Sequence, residues 1–366
     1  PDGRFATLTY GTAIDDELNI YLSGADGVRK FDSNGAMLWE YSARPGEVMN
    51  APALEDGKVY ASDTTGFAFA LDMKTGQPVW KTLMADNVGQ DNGFNMVHAG
   101  IALSACDWRL PSPMGEANQK IKALNASTGN ELWSYEPDTA VWNFLPLFVD
   151  NESFVFQDMS GKVHRLNLQT GDVIWKNGGR PGTWTDGSGA LGPNGLVYAV
   201  NNNHPPPFNA LDEHNPGTLS AYRVSDGKLV WQVTTPRPPN NAPAIGKVKN
   251  LPGLSLVMPL CQQVFQNATC DVEVYDAENG GLRWIFHGPT QLTPFQAGDE
   301  EGVLERAVRG IRGMCLPNGW SAPTIDADGT VFVGNEQGNS CTDHQQHTAG
   351  GLAVNKLFEW CQDSFE

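Results

Sequence analysis

The stretch Asp72 to Trp80, DMKTGQPVW, decides the fold of this chain because it combines a Gly turn with a Trp four residues after the Gly. The same pairing occurs six times, and its Trp is Trp39, Trp80, Trp133, Trp175, Trp231 or Trp284. The interval between copies is about 40–55 residues, which is typical of an array of similar structural units. The sequence therefore predicts a repeat protein.

Each repeat contains four short segments that are typical of β-strands. In the fullest copy, β-branched, aromatic and other apolar residues form runs that Gly or Asp turns separate. The predicted strands of this copy are 51–54, 58–61, 67–72 and 78–83. A four-stranded antiparallel unit that recurs at this interval is typical of a β-propeller blade. One such unit cannot bury both of its faces alone, so neighbouring units must pack on one another.

The repeats predict an all-β chain that forms a single propeller domain of seven blades, with eight blades as the alternative. The predicted blades are 12–41, 51–83, 96–135, 144–176, 188–233, 242–287 and 321–355. The seventh has no Gly-to-Trp copy, and we expect 4–10 to supply its outer strand and so to close the ring. Trp360 is a second candidate for that role.

The repeat resembles the tryptophan-docking repeat of the pyrroloquinoline quinone (PQQ) enzymes and of their non-catalytic relatives, which include outer-membrane assembly lipoproteins. The resemblance covers 12–355. It implies that each repeat Trp packs flat on the Gly turn of the next blade and has no catalytic role. The residue types agree, since a large ring buries much apolar area and Gly lets the backbone approach it.

Composition limits the classes of partner. The 366 residues include 24 basic and 42 acidic side chains, which give a formal net charge of −18. Such a surface repels phosphate backbones, so the sequence argues against nucleic-acid binding and favours calcium or cationic partners. No apolar run is long enough for a transmembrane helix, which takes about 20 residues.

The cysteines and the glycosylation motifs favour a secreted or lumenal protein, in an extracellular, endomembrane or periplasm-like compartment. The six cysteines are an even number without zinc-type spacing. Cys261 and Cys270 bracket one loop and are candidates for a disulfide. Asn267 in that loop and Asn151 in a hairpin turn are the glycosylation candidates. We expect the third motif, at Asn125, to serve turn formation instead.

The longer connections all fall at the same end of the strands. The first and last hairpins of each repeat are tight, whereas the second-to-third connections and the blade-to-blade links are long, as at Cys106–Gln119 and Gly288–Trp320. In a four-stranded meander these long segments emerge on one face, which we call the elaborated face, and the tight turns emerge on the plain face. Variable loops on a rigid frame usually carry recognition, so we expect the site on the elaborated face.

Two of these loops contain candidate ligand-binding residues. The insertion 288–320 includes a predicted short helix, 300–312, on which Arg306, Arg309 and Arg312 could hold an anion or pair with nearby glutamates. Asp343, His344 and His347 could bind a metal, although polar histidines in loops are usually solvated.

Two classes of function fit this sequence. The favoured one is a non-catalytic scaffold that binds a protein partner in a larger assembly through its elaborated face. The alternative is a quinoprotein dehydrogenase that oxidises an alcohol or a sugar with PQQ and Ca²⁺. No two cysteines are adjacent, and there is no C-x-x-C-H haem motif. Carboxylates on the elaborated face that could bind Ca²⁺ are Asp91, Asp107, Asp186 and Glu336.

Overall fold

The regular structure of the chain is β-sheet. The computed structural model describes residues 12–24, 26–46, 48, 51–86, 96–112, 115–185, 187–203, 216–239, 241–260, 268–291, 322–334 and 351–353. These ranges contain strands and turns but no helix, and hence no helix able to cross a membrane. Contacts divide the chain into two compact units, Pro1–Asn177 and Gly178–Glu366.

The first unit contains four sheets of four antiparallel strands, each in sequential order. Blade one contains β1 (Ala13–Ile14), β2 (Ile20–Gly24), β3 (Gly27–Phe31) and β4 (Met37–Ser42). Blade two contains β5 (Ala53–Glu55), β6 (Lys58–Ser62), β7 (Phe67–Asp72) and β8 (Pro78–Leu83). Blade three contains β9 (Met96–His98), β10 (Ile101–Ser112), β11 (Gly115–Asn125) and β12 (Glu131–Tyr135). Blade four contains β13 (Leu147–Phe148), β14 (Ser153–Gln157), β15 (Lys162–Asn167) and β16 (Val173–Gly178).

The second unit contains two further four-stranded sheets and one sheet with three described strands. Blade five contains β17 (Ala190–Leu191), β18 (Leu196–Asn202), β19 (Gly217–Arg223) and β20 (Leu229–Thr235). Blade six contains β21 (Ala244–Gly246), β22 (Ser255–Leu260), β23 (Ala268–Asp276) and β24 (Leu282–Gln291). Blade seven contains β25 (Thr324–Ile325), β26 (Val331–Gly334) and β27 (Gly351–Ala353).

The core of each unit lies between neighbouring blades. The second strands are buried on both faces, and every side chain of β14 and β22 is buried. Their runs of apolar residues, SFVFQ and SLVMPL, suit strands that are covered from both sides. In the first unit one cluster joins Ile121 of blade three to Phe154 of blade four. Blade packing thus supplies the hydrophobic stabilisation that one blade alone could not.

The repeat Trp residues join neighbouring blades within each unit. The Nε1–H of Trp80 donates to the carbonyl oxygen of Ala126 at 2.9 Å, and a Cβ on Gly129 would lie 2.6 Å from the Trp80 ring. The φ of Gly129 is +73°, a left-handed conformation that favours glycine. Trp39, Trp133 and Trp231 make the same pair of contacts with the next blade.

A β-bulge before the repeat Trp, which the sequence pattern did not predict, aims the ring. In blade two Ala70 pairs with Trp80 and Leu71 pairs with Pro78, so Val79 is the extra residue. The third-to-fourth strand ladders of blades one, three, five and six contain the same shift. A bulge bends the strand and re-aims the following side chain, here toward the next blade. It also leaves Val79 exposed on the outer strand.

Two connections differ from the sequence-based prediction. Cys106–Gln119 is not an irregular loop, because β10 and β11 continue through it as a paired ribbon as far as Ser112 and Gly115. The fourth strand of blade six extends to Gln291, into the predicted insertion 288–320. Pro111, Pro113 and Gly115 in the first segment, and Gly288 and Pro289 in the second, are typical of loops and hid both extensions. The predicted closing strand 4–10 and helix 300–312 lie outside the described residues.

Candidate functional site

The ribbon of blade three is the most elaborate connection that the structure describes. β10 and β11 have 12 and 11 residues, whereas β9 and β12 beside them have 3 and 5. A bridge joins the ribbon to the link between blades three and four: Val141 N–H donates to Asn118 O at 2.9 Å, and Asn118 N–H donates to Val141 O at 3.3 Å. The ribbon and this link lie at the elaborated end of the strands.

Two Trp rings stack where the ribbon meets the link. The ring centroids of Trp108 and Trp142 are 6.2 Å apart and their planes differ by 5°. Both side chains are partly buried. The neighbouring residues Asp107 and Asn143 have φ angles of +66° and +45°, a left-handed conformation that Asp and Asn adopt more readily than other non-glycine residues. The backbone bridge between Val141 and Asn118 joins the link to the ribbon beside the two rings.

Charged groups lie at the border of the stacked rings. Lys120 Nζ is 3.2 Å from Glu136 Oε1 and 3.6 Å from Asp107 Oδ2. The hydrogen bond from Lys120 to Glu136 and the charge of Asp107 raise the pKa of Lys120, so the ammonium stays charged. We call Asp107, Trp108, Lys120, Glu136 and Trp142 the Trp surface. It combines aromatic area with oriented charge, as protein-binding surfaces do.

The same link carries a second charged group. The carboxylate of Asp138 accepts hydrogen bonds from Lys162 Nζ and Lys176 Nζ, both at 2.7 Å. These bonds lower the pKa of Asp138 to about 2, so the group is ionised at neutral pH. The two lysines belong to β15 and β16, and Asp138 thereby ties the link to blade four.

Beneath the link, three side chains form a buried hydrogen-bond chain. His164 Nε2 is 2.8 Å from Asp158 Oδ2, and His164 Nδ1 is 3.0 Å from the Tyr135 hydroxyl. The side chains of Asp158 and His164 are fully buried, and the His164 ring stacks on Phe156. Burial, followed by the charges of Asp138 and Asp158, raises the pKa of Tyr135 to about 12. The tyrosine hydroxyl therefore stays protonated.

The turn that contains Asp158 also supports the Trp surface. Met159 N–H donates to the carbonyl oxygen of Ala140 at 3.0 Å. The Met159 side chain packs with Ala117, Ala140 and Trp142. One turn of blade four thus contacts both the buried chain and the base of the stacked rings.

A second polar cluster lies in blade six. Asp271 Oδ1 is 3.0 Å from His287 Nδ1, and Asp271 Oδ2 is 3.6 Å from Arg237 Nη1. Glu273 is buried on the same strand, its pKa raised by burial, and it accepts a hydrogen bond from Tyr275. An exposed histidine that a buried carboxylate orients can act as a base. Across the described residues, no three His, Cys, Asp or Glu side chains are grouped as metal ligands would be.

Several residues singled out from the sequence lie in the described part. Asn151 is exposed, and its Oδ1 is 2.8 Å from His98 Nε2. Asn125 Oδ1 accepts hydrogen bonds from the backbone of Ser127 and Thr128, as a turn residue does. Asp107, a calcium candidate, contacts Lys120.

Trp175 and Trp284 lie on the fourth strands of blades four and six, and Trp284 packs against the valine cluster of the second unit. The anion, metal, disulfide and remaining glycosylation candidates have no described side chain. They are Arg306, Arg309, Arg312, Asp343, His344, His347, Cys261, Cys270 and Asn267. The calcium candidates Asp91, Asp186 and Glu336 also lie outside the described residues.

Sequence reasoning did not find Trp142, His164 or Tyr135. Whether these three residues are close together depends on which strands and links lie side by side, and no local sequence motif predicts that arrangement. One signal was available for the tyrosine: Trp133 and Tyr135 of blade three repeat the spacing of Trp39 and Tyr41 in blade one.

The chain is similar to proteins of three kinds, which share the same fold family. The family model described as outer membrane protein assembly factor BamB matches residues 4–103, 25–204 and 113–300. Tetrathionate hydrolase of Acidithiobacillus ferrooxidans is 26% identical over 238 residues, which cover 58% of this chain and 41% of the hydrolase. BamB of Nitrosomonas eutropha is 25% identical over 169 residues, which cover 38% of this chain and 41% of that protein. The chain thus spans about two fifths of each of these relatives.

Solved structures share the fold. BamB from Moraxella catarrhalis has a TM-score of 0.59 and 14% identity, and the match covers 91% of this chain and 96% of that one. Quinohemoprotein alcohol dehydrogenase from Comamonas testosteroni has a TM-score of 0.55 and 15% identity, over 89% of this chain and 62% of that one. These likenesses and the seven repeated sheets establish a β-propeller fold. The chain therefore belongs to the PQQ-like β-propeller family whose model is described as outer membrane protein assembly factor BamB.

Proposed function

We propose that this chain is a protein-binding propeller module that docks a partner in a larger assembly through the Trp surface. The observation that carries the proposal is the partly buried, stacked pair Trp108 and Trp142. Tryptophan is enriched among the residues that dominate binding energy at protein interfaces. The assembly role in the family's description supports the same class of function.

The surroundings of the rings suit a docking surface. The packing of Trp142 on the cluster that contains Met159, together with the Val141–Asn118 bridge, orders the link before a partner arrives, which lowers the entropy lost on binding. The cluster of Lys120, Asp107 and Glu136 carries charges of both signs beside the rings. Such a border steers a partner and fixes its orientation more than it adds affinity.

The family's description also bears on location. An outer membrane assembly factor acts outside the cytoplasm, and the even number of cysteines and the acidic composition of this chain agree with that setting. We accordingly place the protein in a periplasm-like or lumenal compartment. Fractionation of the source cells, with Asn151 and Asn267 examined for glycans by mass spectrometry, tests the location.

The docking proposal is tested by isolating the protein from its source with its assembly intact. Trp142→Ala and Trp108→Ala should each reduce co-purification of the partner by at least about tenfold, the loss of roughly 1.4 kcal/mol or more expected for an interface hot spot. Leu38→Ala, which removes an exposed apolar side chain from the outer strand of blade one, is the matched control. Equal recovery with all three variants would refute the proposed surface.

A second candidate function is hydrolysis of tetrathionate or a related polythionate. The observation that favours it is the 26% identity over 238 residues to tetrathionate hydrolase. The purified protein with tetrathionate and water should then release thiosulfate, sulfate, elemental sulfur and protons (S₄O₆²⁻ + H₂O → S₂O₃²⁻ + SO₄²⁻ + S + 2 H⁺), without any added oxidant. Absence of release over the range of pH at which the protein is folded would eliminate this candidate.

The dehydrogenase alternative requires PQQ and a calcium ion. Of the four calcium candidates only Asp107 lies in the described residues, and it contacts Lys120. The sequence has no adjacent cysteines to cover a quinone. Reconstitution with PQQ and Ca²⁺ tests the alternative, since a bound quinone has its own absorption band and would support dye-coupled oxidation of alcohols.

A further inference from the structure

We propose that His164 is a positioning residue for the Trp surface, and that its protonation makes the placement of Trp142, and with it partner docking, depend on pH. The docking part of this inference rests on the proposed function. The placement of Trp142 can be measured in the isolated protein.

The first connection from His164 to the Trp surface runs through the turn of blade four. His164 contacts Asp158 at 2.8 Å, and the other oxygen of Asp158 accepts hydrogen bonds from the backbone and hydroxyl of Ser160 at 2.9 and 2.7 Å. Between these residues stands Met159, which donates to Ala140 and packs against Trp142. A change at the carboxylate of Asp158 therefore moves the residue on which Trp142 rests.

The second connection runs through Tyr135. Its hydroxyl lies 3.0 Å from His164 Nδ1, and Tyr135 is the last residue of β12. The link that carries Glu136 and Trp142 begins immediately after it. His164 thus contacts Tyr135 at the start of the link, and Asp158 next to Met159, which contacts the link at Ala140.

The two ring nitrogens of His164 set the direction of these hydrogen bonds. Asp158 has no proton to donate when ionised, so Nε2–H of His164 donates to it, and Nδ1 of the neutral ring accepts from the Tyr135 hydroxyl. When Nδ1 gains a proton it can only donate. The Tyr135 hydroxyl must then turn its hydrogen away from the ring and accept instead. One proton therefore reverses a hydrogen bond at the base of the link.

The charged groups around this chain are few. Asp158 faces His164 from the turn of blade four, and Tyr135 faces it from blade three. Asp138 lies on the link, held by Lys162 from β15 and Lys176 from β16. Asp138 is already ionised above about pH 2 and Tyr135 stays neutral to about pH 12, so neither group changes charge between these limits.

The test follows Trp142 itself. With 5-fluorotryptophan incorporated, the ¹⁹F resonance of Trp142, assigned through Trp142→Phe, should move with one sigmoidal step as the pH is lowered. His164→Gln keeps a group that can reach Asp158 and cannot titrate, and it should abolish the step. Tyr135→Phe removes only one hydroxyl and should reduce the step, which keeps the inference testable if His164→Gln fails to fold.

Two matched variants control for indirect effects. Tyr41→Phe removes the hydroxyl of the equivalent tyrosine of blade one, whose ring packs on Phe69, and should leave the step unchanged. His98→Gln removes another histidine of the same unit and should also leave the pH-dependent step of Trp142 unchanged. A step that persists in His164→Gln, or that disappears in His98→Gln, overturns the inference.

Partner binding separates this inference from the proposed function. If the Trp142 step depends on His164 and partner recovery follows the same pH profile, the positioning role and the docking function are both supported. If the step depends on His164 and no partner is recovered at any pH, the docking function fails and the positioning role remains. If partner recovery varies with pH equally in wild type and His164→Gln, His164 does not control docking, and that part of the inference fails.

Discussion

Blades two and three share a frame and differ in one connection. Trp80 of blade two and Trp133 of blade three each dock on a Gly turn of the next blade. In blade two the second and third strands join through the tight turn Asp63 to Gly66, closed by the hydrogen bond from Gly66 N–H to Asp63 O at 3.1 Å. In blade three the same connection is the ribbon that carries Trp108.

The difference separates two uses of tryptophan in one protein. Trp80 donates to a carbonyl oxygen in the next blade and lies against a glycine that leaves no room for a side chain. Trp108 stacks on Trp142 at the elaborated end of the strands, where both rings remain partly exposed. Trp80 is also partly exposed, but its ring packs against the core clusters at a blade junction, whereas Trp108 lies in the ribbon at the elaborated end. Stability and recognition are therefore expected to separate on mutation.

Trp80→Ala should give the largest loss of stability, about 3–5 kcal/mol, because a large ring and its hydrogen bond to Ala126 are lost at a blade junction. Trp108→Ala in the ribbon should cost about 1 kcal/mol and impair partner recovery instead. Urea unfolding of both variants measures the difference. Similar losses from the two substitutions would contradict the distinction between frame and ribbon.

Gly129→Ala should destabilise the junction of blades two and three by about 2–4 kcal/mol, since its Cβ would lie 2.6 Å from the Trp80 ring in a left-handed backbone. Gly57→Ala is the matched control, because its φ of +72° is nearly the same and no atom lies within 4 Å of the added Cβ. It should cost only the backbone strain, about 1–2 kcal/mol. Equal unfolding free energies for Gly129→Ala and Gly57→Ala would show that the Trp80 ring moves to make room for the added methyl group, and would contradict this prediction.

Asp63→Ala should destabilise the tight turn of blade two by about 1–3 kcal/mol, because the buried carboxylate accepts from Thr65 N–H and pairs with Lys81 at 3.2 Å. Asp107→Ala at the ribbon removes a more exposed carboxylate and should cost under about 1 kcal/mol. Thermal unfolding of the two variants measures both losses of stability. A larger loss for Asp107→Ala than for Asp63→Ala would contradict the prediction.

Asp138→Asn should give the smallest effect, which appears only in the dependence of stability on pH. The hydrogen bonds from Lys162 and Lys176 lower the folded-state pKa of Asp138 from 3.8 to about 2. The stabilisation is therefore present above about pH 4 and lost as pH falls to about 2. The side chain is 39% exposed, so the effect at neutral pH should stay under about 1 kcal/mol. A wild type and variant that differ equally at pH 2 and 7 would refute this account.

The frame was readable from the sequence because its signals are local. The predicted strands 58–61, 67–72 and 78–83 of blade two lie within one residue of β6, β7 and β8. A Gly turn, an alternation of residues and a Trp at fixed spacing each act within a few residues of chain. The bulge before the Trp escaped prediction, because one extra residue in a ladder is visible only from the partner strand.

The candidate site was readable only in part. Placing the site on the elaborated face followed from the lengths of the connections, and the sequence pointed to the segment that became the ribbon. It could not show that this segment is paired, nor that Trp108 meets Trp142. Those residues are 34 positions apart in the sequence. They meet because the link between blades three and four crosses the ribbon, where Val141 pairs with Asn118.

By itself the sequence determined the repeat, the blade and the residues that join one blade to the next, since each depends on backbone conformation and burial over a few residues. Only the tertiary structure decided which side chains share the elaborated end of blades three and four. His164, Tyr135 and Asp158 come from two blades and a turn, and their hydrogen bonds exist only when both blades are packed together. The physical reason is that packing is non-local. The residues of one strand determine the conformation of that strand, whereas a site forms only when side chains from different strands are packed together.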